Sequence, residues 1–393
     1  MKCHLCGQGA PLQFLDLGQQ PLANKYPYAS QFETEDFFPL SVFFCPECKN
    51  VQLGTMVSRA RMFEDYYYLS SVNAGLVRHF DSVAEKLAGS QFVVDIGSND
   101  GILLKPLAAR GVKALGIEPS KNVSRIANDQ GLETLCAFFD QQTAQAVKQG
   151  RGPADVIVAS SVFTHLEDPH AFIEAVKVLL SDNGRFIIEV EYIGNMLRNI
   201  QFERFYLDRI FYYSLTSLKH LFELHGMTVT DVAEIEPHGG SLQVTVQRAA
   251  AVATPSDAVR RQLAEEEGAL TAGKMLAFRA SVDAEIAAFR QYLKDARARG
   301  LRVGGYGAPA RLSTICNYGK IGPELISFTV DDSPLKHGKH TPGTHIPIVT
   351  RQQMEMERPD VLVIFAYEYF DDIRRKVGEG YRYVMPIPVR EVA

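Results

Sequence analysis

Cysteine is scarce in this chain, with six in 393 residues, and four of the six lie in two CxxC pairs. That usage leaves no material for a disulfide framework. Positive charge is not in excess: 41 Lys and Arg stand against 46 Asp and Glu, a formal net charge of −5, and the cations are scattered. No nucleic-acid surface is expected. No apolar run approaches the ~20 residues of a membrane span, and the start Met1-Lys2-Cys3-His4 lacks the apolar stretch of a secretory signal. These absences predict a cytoplasmic protein with no membrane partner. Internal repeats and low-complexity segments are also missing. What is present is ordinary globular material, 46% hydrophobic and 22% charged, long enough for two or three domains.

The segment Val93-Val94-Asp95-Ile96-Gly97-Ser98-Asn99-Asp100-Gly101 is an apolar run that ends in a glycine-rich turn. It reads as a buried parallel strand entering a helix. The next apolar run, residues 114–117, ends at Glu118, which is placed to hold both hydroxyls of a ribose. The loop lacks the full GxGxxG spacing and any following GK[ST], which disfavours a dinucleotide or a triphosphate. A cofactor with one nucleoside and no phosphate fits better, and S-adenosylmethionine fits best. Asp95, Gly97, Asn99, Gly101, Glu118, Pro119 and Ser160 are the candidate cofactor-binding residues.

Further strand candidates at residues 156–159, 185–190 and 242–247 join Phe92–Ile96 and 114–117 in a βαβ rhythm, which predicts a doubly wound α/β domain with a parallel sheet. From Ser256 to Ala298 few helix breakers occur, so one helical connector is expected, capped by Ser256 or Asp257 and stopped at Gly300. Beyond it, Arg302-Val303-Gly304-Gly305-Tyr306-Gly307 opens a second βα unit, with strands at 328–331 and 361–365. Cys3, Cys6, Cys45 and Cys48 supply the tetrahedral sulfur set of a closed structural zinc site. Such a site leaves no position for substrate and stabilises its lobe. Cys136 and Cys316 stand alone and read as packing residues. The expected units are 1–65 (zinc-binding), 66–253 (cofactor-binding), 254–300 (helical connector) and 301–393 (a Rossmann-like, substrate-binding unit).

Five motifs occur in order: the two CxxC pairs, VVDIGSNDG, Pro237-His238-Gly239-Gly240-Ser241, Gly305-Tyr306-Gly307-Ala308-Pro309-Ala310-Arg311, and Asp331-Asp332-Ser333-Pro334-Leu335-Lys336-His337-Gly338-Lys339. Over nearly its whole length the chain resembles the nucleotide-sugar C-methyltransferases, which build branched deoxysugars. The resemblance implies a class I methyltransferase sheet between a small zinc-binding domain and a Rossmann-like C-terminal domain. It also implies S-adenosylmethionine as cofactor, and as substrate a thymidine-diphosphate 4-keto-6-deoxysugar methylated at C-3. A monomer or weak homodimer is expected. Carbon next to a ketone becomes nucleophilic only after losing a proton, so such a site needs a base near C-3 and donors near the C-4 oxygen.

The chain departs from that family at one place. The family usually carries a tyrosine-histidine-glutamate-histidine run, with the last histidine taken as base, where this chain has Tyr206-Leu207-Asp208-Arg209. A guanidinium keeps its proton and cannot serve as an ordinary base. The candidate replacements are His165, just past the strand at 156–159, and the tyrosines Tyr66 to Tyr68, with Tyr66 and Tyr68 on one side if that stretch is extended. Arg209 is then expected to stabilise an enolate or to bind an anionic group. Otherwise it marks a different acceptor, a hydroxyl, an amine or a carboxylate-bearing sugar. The catalytic candidates are therefore His165, Tyr206, Asp208, Arg209, Tyr66 and Tyr68. For the substrate, His238, Gly239 and Ser241 are candidates near the sugar. Arg311, Lys336 and Lys339 are candidates for the diphosphate, with Tyr306 and Asn317 beside them.

Overall fold

The computed structural model describes residues 1–58, 69–251 and 254–392; Tyr66 and Tyr68 lie outside the described residues. The first 58 residues carry more regular structure than the cysteine pattern suggests. Strands β1 (Leu12–Pro21), β2 (Phe37–Phe44) and β3 (Val51–Leu53) pair antiparallel. In β2 alternate residues Leu40, Val42 and Phe44 are buried, the period of a half-covered strand. In β1 two register shifts, between Gln13 and Leu15 and between Asp16 and Gln19, break that period and hide the strand from a pattern search.

The second sheet is built from β4 (Phe92–Ile96), β5 (Lys113–Ile117), β6 (Thr134–Leu135), β7 (Ala154–Ser160) and β8 (Leu180–Glu191), all parallel. The next strand, β9 (Phe211–Tyr212), leaves this sheet and adds to β3. β10 (Met227–Ile235) and β11 (Ser241–Arg248) then complete the second sheet in the order β10-β11-β8-β7-β4-β5-β6. The strand expected at 242–247 is therefore present but antiparallel to both neighbours. The connection over residues 236–240 allows only this, because a parallel return needs a crossover of a dozen or more residues. β4 lies between β5 and β7, so the winding direction reverses at its carboxyl end. Open sheets bind ligands at that point.

The expected single connector is two helices, Asp257–Ala269 and Ala272–Ala298. Ser256 caps the first, and Thr271 caps the second by accepting from Lys274 N–H, while Leu270 between them is fully buried. The third sheet contains β12 (Val303–Tyr306), β13 (Thr329–Val330), β14 (Ile348–Val349), β15 (Val361–Ile364), β16 (Arg382–Pro386) and β17 (Val389–Val392), in the order β14-β13-β12-β15-β16-β17. One hydrophobic cluster joins Phe14 and Phe44 of the first sheet to Phe205 and Tyr212, to Phe278 and Phe289 of the long helix, and to Ile315 and Val363 of the third sheet's unit. Among the described residues no helix is long and apolar enough to cross a membrane.

Candidate active site

The loop after β4 supplies the cofactor candidates. Gly97 has φ +71°, and a Cβ there would lie 2.3 Å from Val162 Cγ2, so only glycine fits. Gly97 N–H and Gly101 N–H donate to Ile117 O and Ser98 O, which closes the turn. Glu118, at the end of β5, is buried, and each of its oxygens accepts one backbone N–H, from Asn99 (3.1 Å) and Ser120 (2.8 Å). Its remaining lone pairs suit a ribose diol. Pro119 follows it, and Ser160 ends β7 opposite Glu189 of β8. Asp95 is held well above the usual carboxylate range by burial, and next by Glu189 and Glu118. A cationic sulfonium suits this group of carboxylates, and S-adenosylmethionine carries one. Glu118→Ala is expected to weaken S-adenosylmethionine binding about 10- to 100-fold, the worth of one or two charge-assisted hydrogen bonds. Calorimetry that returned native affinity for Glu118→Ala would remove Glu118 from the site.

Two acids on β8 gave no sequence signal. Glu189 and Glu191 are two residues apart and therefore share a face of the strand. Burial alone would raise Glu189, but His79 (2.7 Å) and Gln243 (2.7 Å) donate to it and hold it below its ordinary value. Glu191, 1% exposed, pairs with Arg209 Nη2 at 2.5 Å. An acid within or at the end of an apolar run, as Glu189 and Glu191 are, reads as solvent-facing unless its buried partner is known, and the partners His79, Gln243 and Arg209 all come from other elements.

The run Tyr206 to Arg209 sits against the turn Phe163–His165. Ile210 N–H donates to Thr164 O (2.9 Å), and His165 Nδ1 bonds Asp208 O. A neutral imidazole that donates through Nδ1 carries its basic lone pair on Nε2. Arg209 lies over the Tyr206 ring (4.6 Å) and donates through Nη1 to the phenol oxygen. Burial pushes Tyr206 up to about 12, against the pull of Arg209, so the phenol keeps its proton near neutrality. Burial also raises Asp208, with His165 and Arg209 opposing, and Asp208 Oδ1 is buried without a hydrogen-bond partner among the described residues. The structure thus brings His165, Tyr206, Asp208 and Arg209 together. The charge of Arg209 is already answered by Glu191.

The substrate candidates are more scattered. Pro237, His238 and Gly239 form a short turn before β11, and Ser241 Oγ donates to Pro237 O (2.9 Å). Gly239 has φ +76°, and a Cβ there would lie 2.0 Å from Arg204 Nη2, so this glycine makes room for Arg204. Arg311 donates to Glu368 (2.6 Å), as does Arg204 (3.0 Å). Lys336 turns inward to Asp331 (3.0 Å) and Ala308 O (3.1 Å). Lys339 lies over Tyr28 (5.3 Å), Tyr306 donates to Asp332 (3.1 Å), and Asn317 ties Ser313 O to Pro342 O. Lys336 and Asn317 are thus committed to internal bonds. Arg204, Glu368, Glu189, Glu191 and His79 are the site neighbours that sequence reasoning missed.

The four thiols of the CxxC pairs converge. Cys3 and Cys48 sulfurs are 3.6 Å apart, Cys6 and Cys45 are 3.7 Å apart, and all four lie within 4.8 Å of one another. A tetrahedron with Zn–S of 2.3 Å has edges of about 3.8 Å. The hydrogen bond from Cys48 lowers Cys3 to about 4, whereas burial raises Cys6 to about 11. Thiols this close ionise together only around a cation. The donor set fits zinc.

Residues 236–388 match the family described as "C-methyltransferase C-terminal domain", residues 59–232 a "Methyltransferase domain", and residues 3–63 a "Putative zinc binding domain". The C-methyltransferase NovU of Streptomyces niveus is 32% identical over 98% of this chain and 95% of its own length. A ubiquinone biosynthesis O-methyltransferase of Caulobacter sp. (strain K31) is 31% identical over 24% of this chain and 39% of its own length. Among solved structures, magnesium protoporphyrin IX methyltransferase (ChlM) of Synechocystis PCC 6803 with bound SAM covers 48% of this chain and 88% of its own, at 17% identity and a TM-score of 0.35.

Proposed function

Because this chain belongs to the C-methyltransferase family that includes NovU and is an S-adenosylmethionine-dependent methyltransferase, we propose that its acceptor is a nucleotide-linked 4-keto-6-deoxysugar, methylated at the carbon next to the ketone. The cofactor supplies a methyl group on a sulfonium, an electrophile in search of a carbon nucleophile. This chain's residues make that nucleophile. His165 takes the C-3 proton on Nε2, and the bond from Nδ1 to Asp208 O fixes the tautomer that can do so. Tyr206, polarised by the Arg209 hydrogen bond and still protonated, donates to the C-4 oxygen as enolate charge collects there.

The observation that carries this reading is the meeting of His165 with the run Tyr206 to Arg209, which supplies one base and one oxyanion donor in a chain whose run has lost its histidines. The Glu191–Arg209 ion pair weighs against a carboxylate-bearing acceptor, because it cancels the charge that such a group needs. The test is incubation with S-adenosylmethionine and a panel of nucleotide 4-keto sugars, followed by mass spectrometry and NMR. A gain of one methyl on C-3 is expected. A methyl on oxygen or nitrogen would overturn the proposal.

A further inference from the structure

The segment Tyr367-Glu368-Tyr369 follows β15 in the third sheet's unit, yet each side chain reaches a residue of another part of the chain. Tyr367 donates to Glu203, Glu368 accepts from Arg204 and Arg311, and Tyr369 bonds Asn73 (2.8 Å). The central contact is unusual in its stoichiometry. Arg204 Nη2 and Arg311 Nη2 converge on one oxygen, Glu368 Oε1, at 3.0 and 2.6 Å. The Arg311 Nη1 donor is buried with no partner among the described residues. Arg311 thus keeps a buried donor unsatisfied while sharing its acceptor with a second cation, and a ligand with more oxygens would satisfy it.

Exposure shows which partner can leave. The Arg204 and Arg311 side chains are 5% and 15% exposed, that of Glu368 37%. The cations are built into the fold, with Arg204 in the groove that Gly239 leaves and Arg311 stacked on Tyr367 (4.3 Å). The carboxylate sits on the solvent side. Buried Glu203 also faces this cluster and bonds Tyr367. Among the described residues of this cluster, with Glu203 counted, release of Glu368 leaves one positive charge in excess, which a polyvalent anion answers better than one carboxylate does.

We infer that Arg204 and Arg311 form the seat of the substrate's diphosphate and that Glu368 holds this seat in the substrate-free protein, to be displaced when the phosphate enters. This rests on the reading that the acceptor is nucleotide-linked. Position supports it: Arg204 precedes Tyr206 by two residues, and Tyr212 OH bonds both Arg204 O (3.1 Å) and Tyr206 N–H (3.1 Å). Arg311 opens the helix Ala310–Gly319 after the loop at 305–309. A diphosphate between them would place its sugar toward the catalytic run.

Inorganic pyrophosphate, titrated calorimetrically into the full chain, is the probe. Glu368→Gln is expected to tighten its binding about tenfold by removing the competing carboxylate. Adding Arg204→Gln should then weaken it at least tenfold. Pyrophosphate should also speed amide exchange at residues 367–369 of the native protein, a readout that needs no variant to fold. Unchanged or weaker binding by a folded Glu368→Gln, or unchanged exchange at 367–369 under saturating pyrophosphate, would overturn the proposal. The chemistry is judged separately: pyrophosphate behaving as expected while no keto sugar is methylated would leave the seat standing and reject the acceptor. Methylation of a nucleotide keto sugar with native KM in both Glu368→Gln and Arg204→Gln would do the reverse.

Discussion

His165→Ala is expected to lower kcat on a nucleotide 4-keto sugar by about 10²- to 10⁴-fold, the usual worth of a positioned base, while S-adenosylmethionine affinity stays within about twofold. The split follows from where the residue stands. His165 bonds the backbone of Asp208, whereas every cofactor candidate but Ser160 lies on β4 and its loop or just past the end of β5. Tyr206→Phe should also act on kcat more than on KM, because a phenol donor gains most as charge reaches the C-4 oxygen. Native kcat in both variants, with C-3 methylation intact, would rule out both roles.

The same geometry constrains any attempt to restore the family's run. Leu207→His, Asp208→Glu and Arg209→His together would leave Glu191 buried without its cation. Removing one partner of a buried ion pair costs on the order of 3–5 kcal/mol. The triple variant therefore needs Glu191→Gln beside it, and thermal melting of the two forms should rank the quadruple variant above the triple. That coupling was invisible in the sequence.

Much of the central sheet was legible because its strands are short apolar runs punctuated by glycine, as at Val93 to Gly97. β10 was not, and the reason is local. Met227 and Val229 alternate inward, but a register shift between Val229 and Asp231 moves the next buried residue to Val232. The alternation that marks a strand is lost in mid-course. The break between Ala269 and Ala272 was hidden because the stretch Ser256 to Ala298 holds no proline, and only Gly268, Gly273 and the cap Thr271 hint at it. The candidate site divides in the same way. Residues at strand ends, such as Gly97 after β4 and Glu118 after β5, follow from local pattern, whereas Glu191 with Arg209 and Glu368 with Arg204 are pairs that the fold makes between separate elements.

Removal of zinc is expected to lower the melting temperature by roughly 10 °C, on the order of several kcal/mol at this chain length, and to abolish most turnover with it. The stability effect follows from the core, in which Cys3, Leu5, Cys45 and Cys48 share one cluster with Phe163, Ile210, Phe211 and Leu215. Losing the metal would leave four close thiols to compete for protons inside that cluster. The effect on turnover follows from the strand pairing. β9 begins two residues after Arg209 and pairs with β3, Leu53 N–H donates to Ile210 O (2.9 Å), and Ser214 Oγ donates to Lys49 O (3.2 Å) next to Cys48. Ile210 in turn donates to Thr164 O beside His165. The metal turn therefore holds residues 210–214, which follow directly on the proposed catalytic run. Cys48→Ser should reproduce the loss, and zinc returned to chelated native protein should restore melting temperature and kcat together. Protein shown by metal analysis to hold no zinc, yet melting and turning over as the native protein does, would refute this coupling.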